Sequence, residues 1–429
     1  MPGSDTRPGG ATASPRSLVS PFAGLRPGPG KAARVIAPPY DVVSTEEARQ
    51  WAEGNPWSFF HVSRPEIDLP PGAEASAPEA YAKAAENFTA MQEAGILKRD
   101  PGPCFYVYRL TMGNHAQTGL VAAASLAAYS TNRIRRHEST NPDKVADRAR
   151  QIKAVNAQTG PVMVVHRSQP TVDGLLNRAA EGPPDLEATL DGGVVHAIWV
   201  IGDGGLMESL AREFDAMDAL YIADGHHRSA AAARVAEERR AANPSAGAEA
   251  SYNSVLVVSF PDDQVQILDY NRVVRDLGGL DADAFLGRVG ESFTVEARPD
   301  PFRPGRRGEF GLYVDGRWYS LALSREPPPP SAAAVSRLDI NLLGERLLEP
   351  VLGIVDPTLD SRIDFIGGIR GLEELERRVD SGEMAAAFAL FPTGIEDLLA
   401  VADAGDFMPA KSTWFEPKLA DGLVSMVLD

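Results

Sequence analysis

The sequence has one cysteine, Cys104, in 429 residues. A single thiol excludes an intramolecular disulfide and any metal cluster that is built from several cysteines. Chains that do without disulfides are typical of reducing compartments, so we expect a cytoplasmic protein.

Long apolar stretches are also missing from the sequence. No segment approaches the roughly 18 consecutive apolar residues that a membrane-spanning helix needs, so we expect a soluble protein with no membrane partner. Residues 1–16 are rich in Gly, Pro, Ser and Thr and have no apolar core. We expect them to form a disordered tail and not a secretory signal.

Basic residues are outnumbered by acidic ones, with 42 Lys and Arg against 59 Asp and Glu, and the formal net charge is -17. Bulk repulsion of this size opposes a partner that is held mainly by phosphate contacts, so we do not expect a nucleic-acid partner. The sequence does not fix the oligomeric state and is compatible with a homodimer.

The residues that are present have the balance of a globular protein, with 44% hydrophobic and 24% charged residues. Strand and helix patterns are mixed without strict alternation, which predicts an α+β fold with mixed sheets and packed helices. We expect a main α+β domain over residues 17–325 and a proline-rich loop or linker over 326–336. A C-terminal α/β segment, residues 337–429, is expected to pack on the main domain.

Two helix starts are marked by capping signals. Ser44 and Glu47 have the spacing of a capping box, which predicts a helix through Trp51. Asn141 followed by Pro142 combines a cap with a proline at the first helical position, and predicts the start of a second helix.

Strand patterns are found in several places along the chain. Residues 33–37 are expected to form a short strand within an extended arm, and residues 119–129 a strand rich in small residues. The segments SVLVVSF (254–260) and QVQILDY (264–270) are expected to pair with each other across a turn.

The clearest chemical signal is the sequence YIADGHHRSAAAAR at residues 221–234. An apolar strand ends at Asp224, Gly225 permits a tight turn, and an alanine-rich helix begins within a few residues. Free backbone N–H groups and the positive helix end meet at such a junction, which makes it a natural anion site. Arg228 adds a planar guanidinium that suits phosphate oxygens.

The other side chains of this element permit several interpretations. His226 and His227 are further hydrogen-bond donors, and Asp224 can hold Mg²⁺ or orient a histidine. A zinc site is a less favoured alternative, because adjacent histidines seldom ligate one ion together and a third ligand must come from elsewhere. A helix cap with an ion pair and two surface histidines is the structural alternative.

A second charged element lies at residues 135–138, Arg-Arg-His-Glu, and continues into the helix that begins after Asn141. Its basic side chains, with Lys144 and Arg148 on one flank of the helix, can hold a polyphosphate while Glu138 acts as a base or metal ligand. A solvated loop and helix with ordinary surface pairs fits the same spacing. Asp41 and the polar residues 411–413 are weaker candidates.

Six segments of the chain, in this order, resemble the domain of unknown function 1015 family of bacteria and archaea. They are SPFAGLRP, APPYDVVS, NPWSFFHV, RRHESTNPDKVADR, YIADGHHRSAAA and MPAKSTWFEPKL, and they extend through nearly the whole chain after residue 16. The DGHHR element is also similar to that of the archaeal free-serine kinases of the ParB/sulfiredoxin superfamily. This resemblance implies a ParB/sulfiredoxin-like core around the strand, turn and helix.

The same resemblance implies a small-molecule kinase that transfers a phosphoryl group between ATP or ADP and the hydroxyl of free L-serine. O-phosphoserine would be its product or substrate, and Mg²⁺ its cofactor. Glu138, Asp224, His226, His227 and Arg228 would form the catalytic set, with Asp224 and Glu138 as metal ligands. The residues expected to contact the nucleotide are Arg136, His137, Lys144, Arg148, Gly225 and Ser229.

Two alternatives remain open at this point. One is a nucleotide-binding regulatory switch of the ParB type, which predicts a DNA partner and is opposed by the charge of -17. The other is a metal-dependent phosphohydrolase that uses the histidines and acts on phosphoserine.

Overall fold

The computed structural model describes residues 17–190, 192–245, 247–325, 328–329 and 331–429. The expected disordered tail and residues 326, 327 and 330 of the expected linker lie outside the described residues. The described part mixes helices with several sheets, which confirms the predicted α+β class. No helix in this part is both long and apolar enough to cross a membrane.

The strands are β1 (Val19–Ser20), β2 (Gly24–Pro27), β3 (Leu97–Arg99), β4 (Phe105–Met112), β5 (His115–Ser125), β6 (Ile134–Arg135), β7 (Ala157–Gln158), β8 (Val162–His166), β9 (Leu186–Thr189), β10 (Val195–Ile201), β11 (Leu220–Asp224), β12 (Ser254–Pro261), β13 (Gln266–Leu268), β14 (Tyr270–Val274), β15 (Phe293–Arg298), β16 (Glu309–Val314), β17 (Arg317–Leu323), β18 (Ile363–Gly367), β19 (Ala386–Leu390), β20 (Trp414–Glu416) and β21 (Ser425–Val427).

The α-helices are α1 (Ala32–Val35), α2 (Thr45–Ala52), α3 (Phe60–Ser63), α4 (Pro78–Glu93), α5 (Leu126–Ser130), α6 (Pro142–Val155), α7 (Pro170–Ala179), α8 (Gly204–Asp215), α9 (His226–Ala242), α10 (Ala282–Val289), α11 (Asp339–Leu343), α12 (Glu349–Leu352), α13 (Glu373–Asp380) and α14 (Ile395–Ala404). Short 3-10 helices lie at Pro65–Asp68, Ser251–Asn253, Ala334–Arg337 and Gly368–Arg370, and a π-helical turn lies at Gly344–Leu348.

Nine of the described strands form the largest sheet. Its order is β6-β11-β8-β12-β5-β4-β10-β9, and β1 pairs with β5. The central strands β8 and β12 are rich in Val and are buried along their whole length. Such continuous apolar strands are typical of a sheet that is covered on both faces, and α9 packs against both of them. The DGHHR element is thereby fixed on the main core.

A second sheet has the order β15-β17-β16-β19-β14-β18 and consists of antiparallel pairs. Strands β14 to β17 precede the expected linker at 326–336, and β18 and β19 follow it. The linker therefore does not separate two independent sheets. The expected boundary between the main domain and the C-terminal segment therefore falls within a single hydrogen-bonded sheet.

Three expectations about local structure are wrong. Residues 32–35 form one helical turn and not a strand, which agrees with the high helix propensity of Ala and Arg. The strand predicted over 119–129 ends at Ser125, whose hydroxyl caps α5 by accepting from the Ala128 N–H at 3.4 Å. The segments 254–260 and 264–270 do not pair, because β12 lies between β5 and β8 while β13 pairs with β20.

Both predicted helix starts are confirmed. The Ser44 hydroxyl accepts from the Glu47 N–H at 3.1 Å, and the Glu47 carboxylate accepts from the Ser44 N–H at 2.6 Å. The Asn141 side-chain oxygen accepts from the backbone N–H groups of Asp143 at 2.8 Å and Lys144 at 3.3 Å. This second cap sets the direction of α6.

A small sheet with the order β3-β2-β21-β7 ties the two ends of the described chain together. Strand β21 lies between β2, near the start, and β7, which follows α6. The backbone groups of Ala37 and Asp421 also exchange hydrogen bonds, at 3.2 and 2.9 Å. These contacts bring the segment 408–421 back onto the DGHHR element.

Candidate functional site

Strands β6 and β11 are parallel neighbours, with Ile134 opposite Leu220. Their C-terminal ends therefore meet at the same edge of the sheet. The loop after β6 carries His137 and Glu138, and the turn after β11 leads into His226. Parallel pairing thus explains why two elements some ninety positions apart in the sequence form one site.

The turn after β11 requires glycine for two reasons. Gly225 has a φ of 98°, a conformation that side chains with a Cβ atom rarely adopt. A Cβ added there would also lie 2.9 Å from Nε of Arg228 and 3.0 Å from Cζ. The guanidinium therefore packs directly over the glycine.

Replacing Gly225 with Ala is expected to lower the free energy of unfolding by about 1–3 kcal/mol, because the backbone becomes strained and Arg228 is displaced. Urea titration measures this change. Gly174→Ala is a matched control, since a Cβ at this position in α7 meets open space. The control should be neutral or slightly stabilising. An equally small effect in Gly225→Ala would contradict the proposed packing.

Arg228 is committed to contacts within the protein. It is 9% exposed, and it donates to Oδ2 of Asp224 at 3.0 Å and to the carbonyl oxygen of Pro161. Although burial acts to lower the pKa of Arg228, the nearby carboxylates Asp224 and Asp41 raise it above the ordinary value. The guanidinium therefore stays charged and holds the turn in place.

Asp224 faces a second cation, Lys418, whose Nζ lies 3.9 Å from its Oδ2. The same ammonium lies 4.7 Å from the centre of the Trp414 ring. Burial opposes ionisation of Asp224, but Lys418 and Arg228 hold its pKa well below the usual range. The carboxylate is therefore ionised, and it joins the DGHHR turn to the C-terminal segment.

Glu138 lies at the mouth of the site, with a side chain that is 25% exposed and an oxygen 3.9 Å from Nδ1 of His226. Burial raises the pKa of Glu138 to about 6, and the repulsion of Asp224 acts in the same direction, while Lys411 opposes it. A carboxylate with a pKa near neutrality is suited to accept a proton from a substrate.

Two imidazoles lie behind Glu138. The rings of His137 and His226 are edge to face with centroids 4.5 Å apart, and the residues are 1% and 4% exposed. Burial lowers the pKa of His137 to about 4 and that of His226 well below its usual value. Both rings are therefore neutral at physiological pH.

His227 has a different environment from its neighbour. Its Nε2 accepts a hydrogen bond from the Asn141 N–H at 3.0 Å, which ties the DGHHR turn to the start of α6. Burial and the Lys144 cation both lower the pKa of His227. It is therefore held as a neutral acceptor toward Asn141.

Arg148 lies on α6, at one side of the site. Its Cζ atom is 4.0 Å from the centre of the Tyr40 ring, and its guanidinium is 2.6 Å from the Asp147 carboxylate. Asp421 is 2% exposed nearby, and burial raises its pKa to about 7. Its carboxylate oxygen would lie 3.1 Å from a Cβ placed on Gly160. The Asp421 carboxyl group is close enough to both Arg228 and Arg148 for each cation to oppose the rise of its pKa.

Two residues that the sequence assigns to nucleotide contacts are engaged elsewhere. The Ser229 hydroxyl donates to the His226 carbonyl at 2.9 Å, and the residue is 1% exposed. Arg136 is exposed, and its guanidinium lies 5.2 Å from the Tyr129 ring.

The sequence did not identify the contribution of the segment 408–421. Met408 donates its N–H to the His137 carbonyl at 2.7 Å, and Lys411 lies close enough to Glu138 to oppose the rise of its pKa. Lys418 and Asp421 were not singled out at all. The only signal for them was the resemblance of the segment MPAKSTWFEPKL to the family, because no local pattern shows which element it contacts.

Five cations are gathered around the start of α9 in a chain whose net charge is -17. Lys144 and Arg148 come from α6, Arg228 from the DGHHR turn, and Lys411 and Lys418 from the C-terminal segment. Arg228 is paired internally, but Lys144 and Lys411 are exposed. Together with the free N–H groups of the helix N-terminus, they form a site suited to an anion.

The residues present do not fit Mg²⁺, which prefers near-octahedral oxygen ligands. Asp224 already faces Arg228 at 3.0 Å and Lys418 at 3.9 Å. Glu138 is approached by two imidazoles. The sequence-based assignment of Asp224 and Glu138 as a Mg²⁺ pair therefore has no supporting set of oxygen donors.

A family model described as Protein of unknown function (DUF1015) matches residues 19–341. No curated protein matches the sequence.

Three solved structures align with most of the chain, but only loosely. A free serine kinase in complex with AMP covers 72% of this chain and 91% of its own, with 12% identity and a TM-score of 0.35. A conserved hypothetical protein from Pyrococcus furiosus covers 72% and 95%, with 11% identity and a TM-score of 0.35. SbnI with a C-terminal truncation from Staphylococcus aureus covers 70% and 85%, with 12% identity and a TM-score of 0.35.

Proposed function

The chain belongs to the DUF1015 family of proteins of unknown function, and we propose that it is a small-molecule kinase. It transfers a phosphoryl group between a nucleotide, ATP or ADP, and the hydroxyl of free L-serine. The observation that carries this proposal is the gathering of cations from three segments around one helix N-terminus, in a strongly acidic chain. One carboxylate suited to proton transfer, Glu138, lies beside them.

The phosphates of the nucleotide bind at the start of α9. The first N–H groups of this 17-residue helix have no carbonyl partner within the helix, and the helix dipole favours negative charge there. Lys144, on α6, and Lys411, in the C-terminal segment, supply ammonium groups. Arg228 acts indirectly, because it keeps Asp224 and the glycine turn in place.

Glu138 takes the proton from the serine hydroxyl as the serine oxygen attacks the terminal phosphorus. A new bond forms between this oxygen and phosphorus, and the bond from phosphorus to the bridging oxygen of the nucleotide breaks. The lysine cations offset the charge that develops on the departing nucleotide and on the transferring group. The same arrangement serves the reverse reaction, so its direction depends on the substrates supplied.

The choice of serine and of an adenine nucleotide rests on the resemblance of the DGHHR element to the free-serine kinases. The switch and the phosphohydrolase use the same anion site. The switch transfers no phosphoryl group, and the phosphohydrolase releases phosphate without needing serine as an acceptor.

Phosphorus NMR of the protein with MgCl₂, L-serine and either ATP or ADP is expected to show O-phosphoserine. Lys411→Ala should lower kcat/KM about 10- to 100-fold, because an exposed cation is removed from the transferring group. Lys98→Ala, which removes an exposed lysine on β3, is the matched control and should leave the rate unchanged.

Other outcomes of this experiment would overturn the kinase proposal. Nucleotide binding without transfer in either direction indicates the regulatory switch. Inorganic phosphate released from phosphoserine alone indicates the phosphohydrolase.

A further inference from the structure

The cluster of His137, Glu138 and His226 has the composition of a metal site. One potential ligand atom from each residue lies within 4.8 Å of the other two. The two histidines are buried, whereas the Glu138 side chain is 25% exposed and opens the cluster to solvent. An ion therefore has an entry path on the side of the carboxylate.

The imidazole nitrogens in this cluster have few partners within the protein. Nε2 of His226 has no hydrogen bond to the described residues, and neither ring nitrogen of His137 has a well-formed one, although the backbone of Ile222 is near enough to act on the pKa of His137. Buried polar atoms without partners are costly, and the great majority in folded proteins are satisfied by protein, water or an ion. Two histidines with free nitrogens side by side therefore point to a ligand.

We propose that His137, Glu138 and His226 bind a divalent transition-metal ion such as Zn²⁺. Two imidazole nitrogens and one carboxylate oxygen form a donor set that suits zinc and its neighbours, whereas Mg²⁺ prefers oxygen ligands alone. The three potential ligand atoms, all within 4.8 Å of one another, are close enough together to surround one ion.

This arrangement differs from the zinc site considered from the sequence. That alternative joined the adjacent His226 and His227 and lacked a third ligand. In the structure His227 accepts from Asn141, while His226 meets two ligands from the loop after β6.

A metal ion at this site would also affect phosphoryl transfer, and this expectation rests on the proposed function. Zn²⁺ coordinated by Glu138 occupies the carboxylate that takes the proton from serine. We therefore expect Zn²⁺ to inhibit phosphoryl transfer, with an inhibition constant equal to its dissociation constant.

Isothermal titration of the chelator-treated, full-length protein with ZnCl₂ tests the binding directly. We expect one site, with Mg²⁺ unable to compete at equal concentration. Co²⁺ should give the visible absorption bands of a nitrogen- and oxygen-ligated ion. His137→Ala and Glu138→Gln should each weaken Zn²⁺ binding by more than about 100-fold, since each removes a direct ligand.

His115→Ala is the matched control, because this histidine lies in the β4–β5 hairpin and contacts Gln117 instead. It should leave the titration unchanged. Thermal melts show whether each variant is folded, and Glu138→Gln preserves the shape of the side chain if His137→Ala does not fold. Zn²⁺ binding that survives Glu138→Gln, or the absence of any site, overturns the proposal.

The two proposals fail separately. Zn²⁺ binding by a protein that shows no transfer even after EDTA treatment supports the metal site and refutes the kinase. Phosphoryl transfer by a protein that binds no Zn²⁺ supports the kinase and refutes the metal site.

Discussion

Glu138→Gln is expected to lower the rate of phosphoryl transfer by about 100- to 10,000-fold, the usual contribution of a general base. The amide has the shape of the carboxylate but cannot accept the serine proton. Nucleotide binding should remain nearly unchanged, because the proposed phosphate contacts are with the helix N-terminus and the lysines, and not with Glu138. Single-turnover kinetics of the EDTA-treated protein with the Mg²⁺ complex of the nucleotide, together with nucleotide titration, measures the two effects separately and keeps Zn²⁺ out of the assay.

Glu238→Gln is the matched control for this prediction. Glu238 is a surface glutamate on α9, far from the start of that helix, and pairs with Lys153 at 2.8 Å and Arg234 at 3.1 Å. Exposed pairs contribute little, so activity and stability should both be retained. Full activity in Glu138→Gln would remove the proton-transfer role from the proposed function.

Much of the local structure around the site could be predicted from the sequence. Asn141 and Pro142 mark the start of α6 because a cap and a first-turn proline act within a few residues. The strand, the turn at Gly225 and the alanine-rich helix were predicted for the same reason. These signals depend on neighbours in the sequence, and the structure places all of them where they were expected.

The contacts between segments could not be predicted in this way. Lys418 meets Asp224 because the C-terminal segment packs back onto the start of the chain, where β21 joins the small sheet and Asp421 pairs with Ala37. The neutrality of His137 and the raised pKa of Glu138 are products of burial, which depends on the whole fold. Sequence spacing also gave no sign that Arg228 would be buried.

The negative net charge of the chain and the cations at the site together determine where an anion can bind. A chain with a charge of -17 repels nucleotides except where cations are concentrated, so its field directs anions to the start of α9. Because these cations come from three segments, the site forms only when the C-terminal segment has packed. Ligand binding should therefore stabilise the whole chain rather than one part of it.

Arg228→Ala is expected to lower the free energy of unfolding by about 3 kcal/mol, at the lower end for breaking a buried ion pair because Lys418 still faces Asp224. The change leaves the Pro161 carbonyl without its donor and removes the group that packs over Gly225. Urea titration measures the loss.

Arg234→Ala is the matched control, and it shows whether Arg228 stabilises the fold or binds phosphate directly. Arg234 lies on the exposed side of the same helix and pairs with Glu238 at 3.1 Å, so its removal should change stability by less than about 0.5 kcal/mol. Arg228→Lys should recover part of the stability, since one ammonium replaces a guanidinium that makes two contacts. If Arg228→Ala were as stable as Arg234→Ala and yet inactive, the guanidinium would be a direct phosphate ligand, as the sequence alone predicted. A large loss of stability identifies Arg228 instead as the residue that holds the anion site in shape.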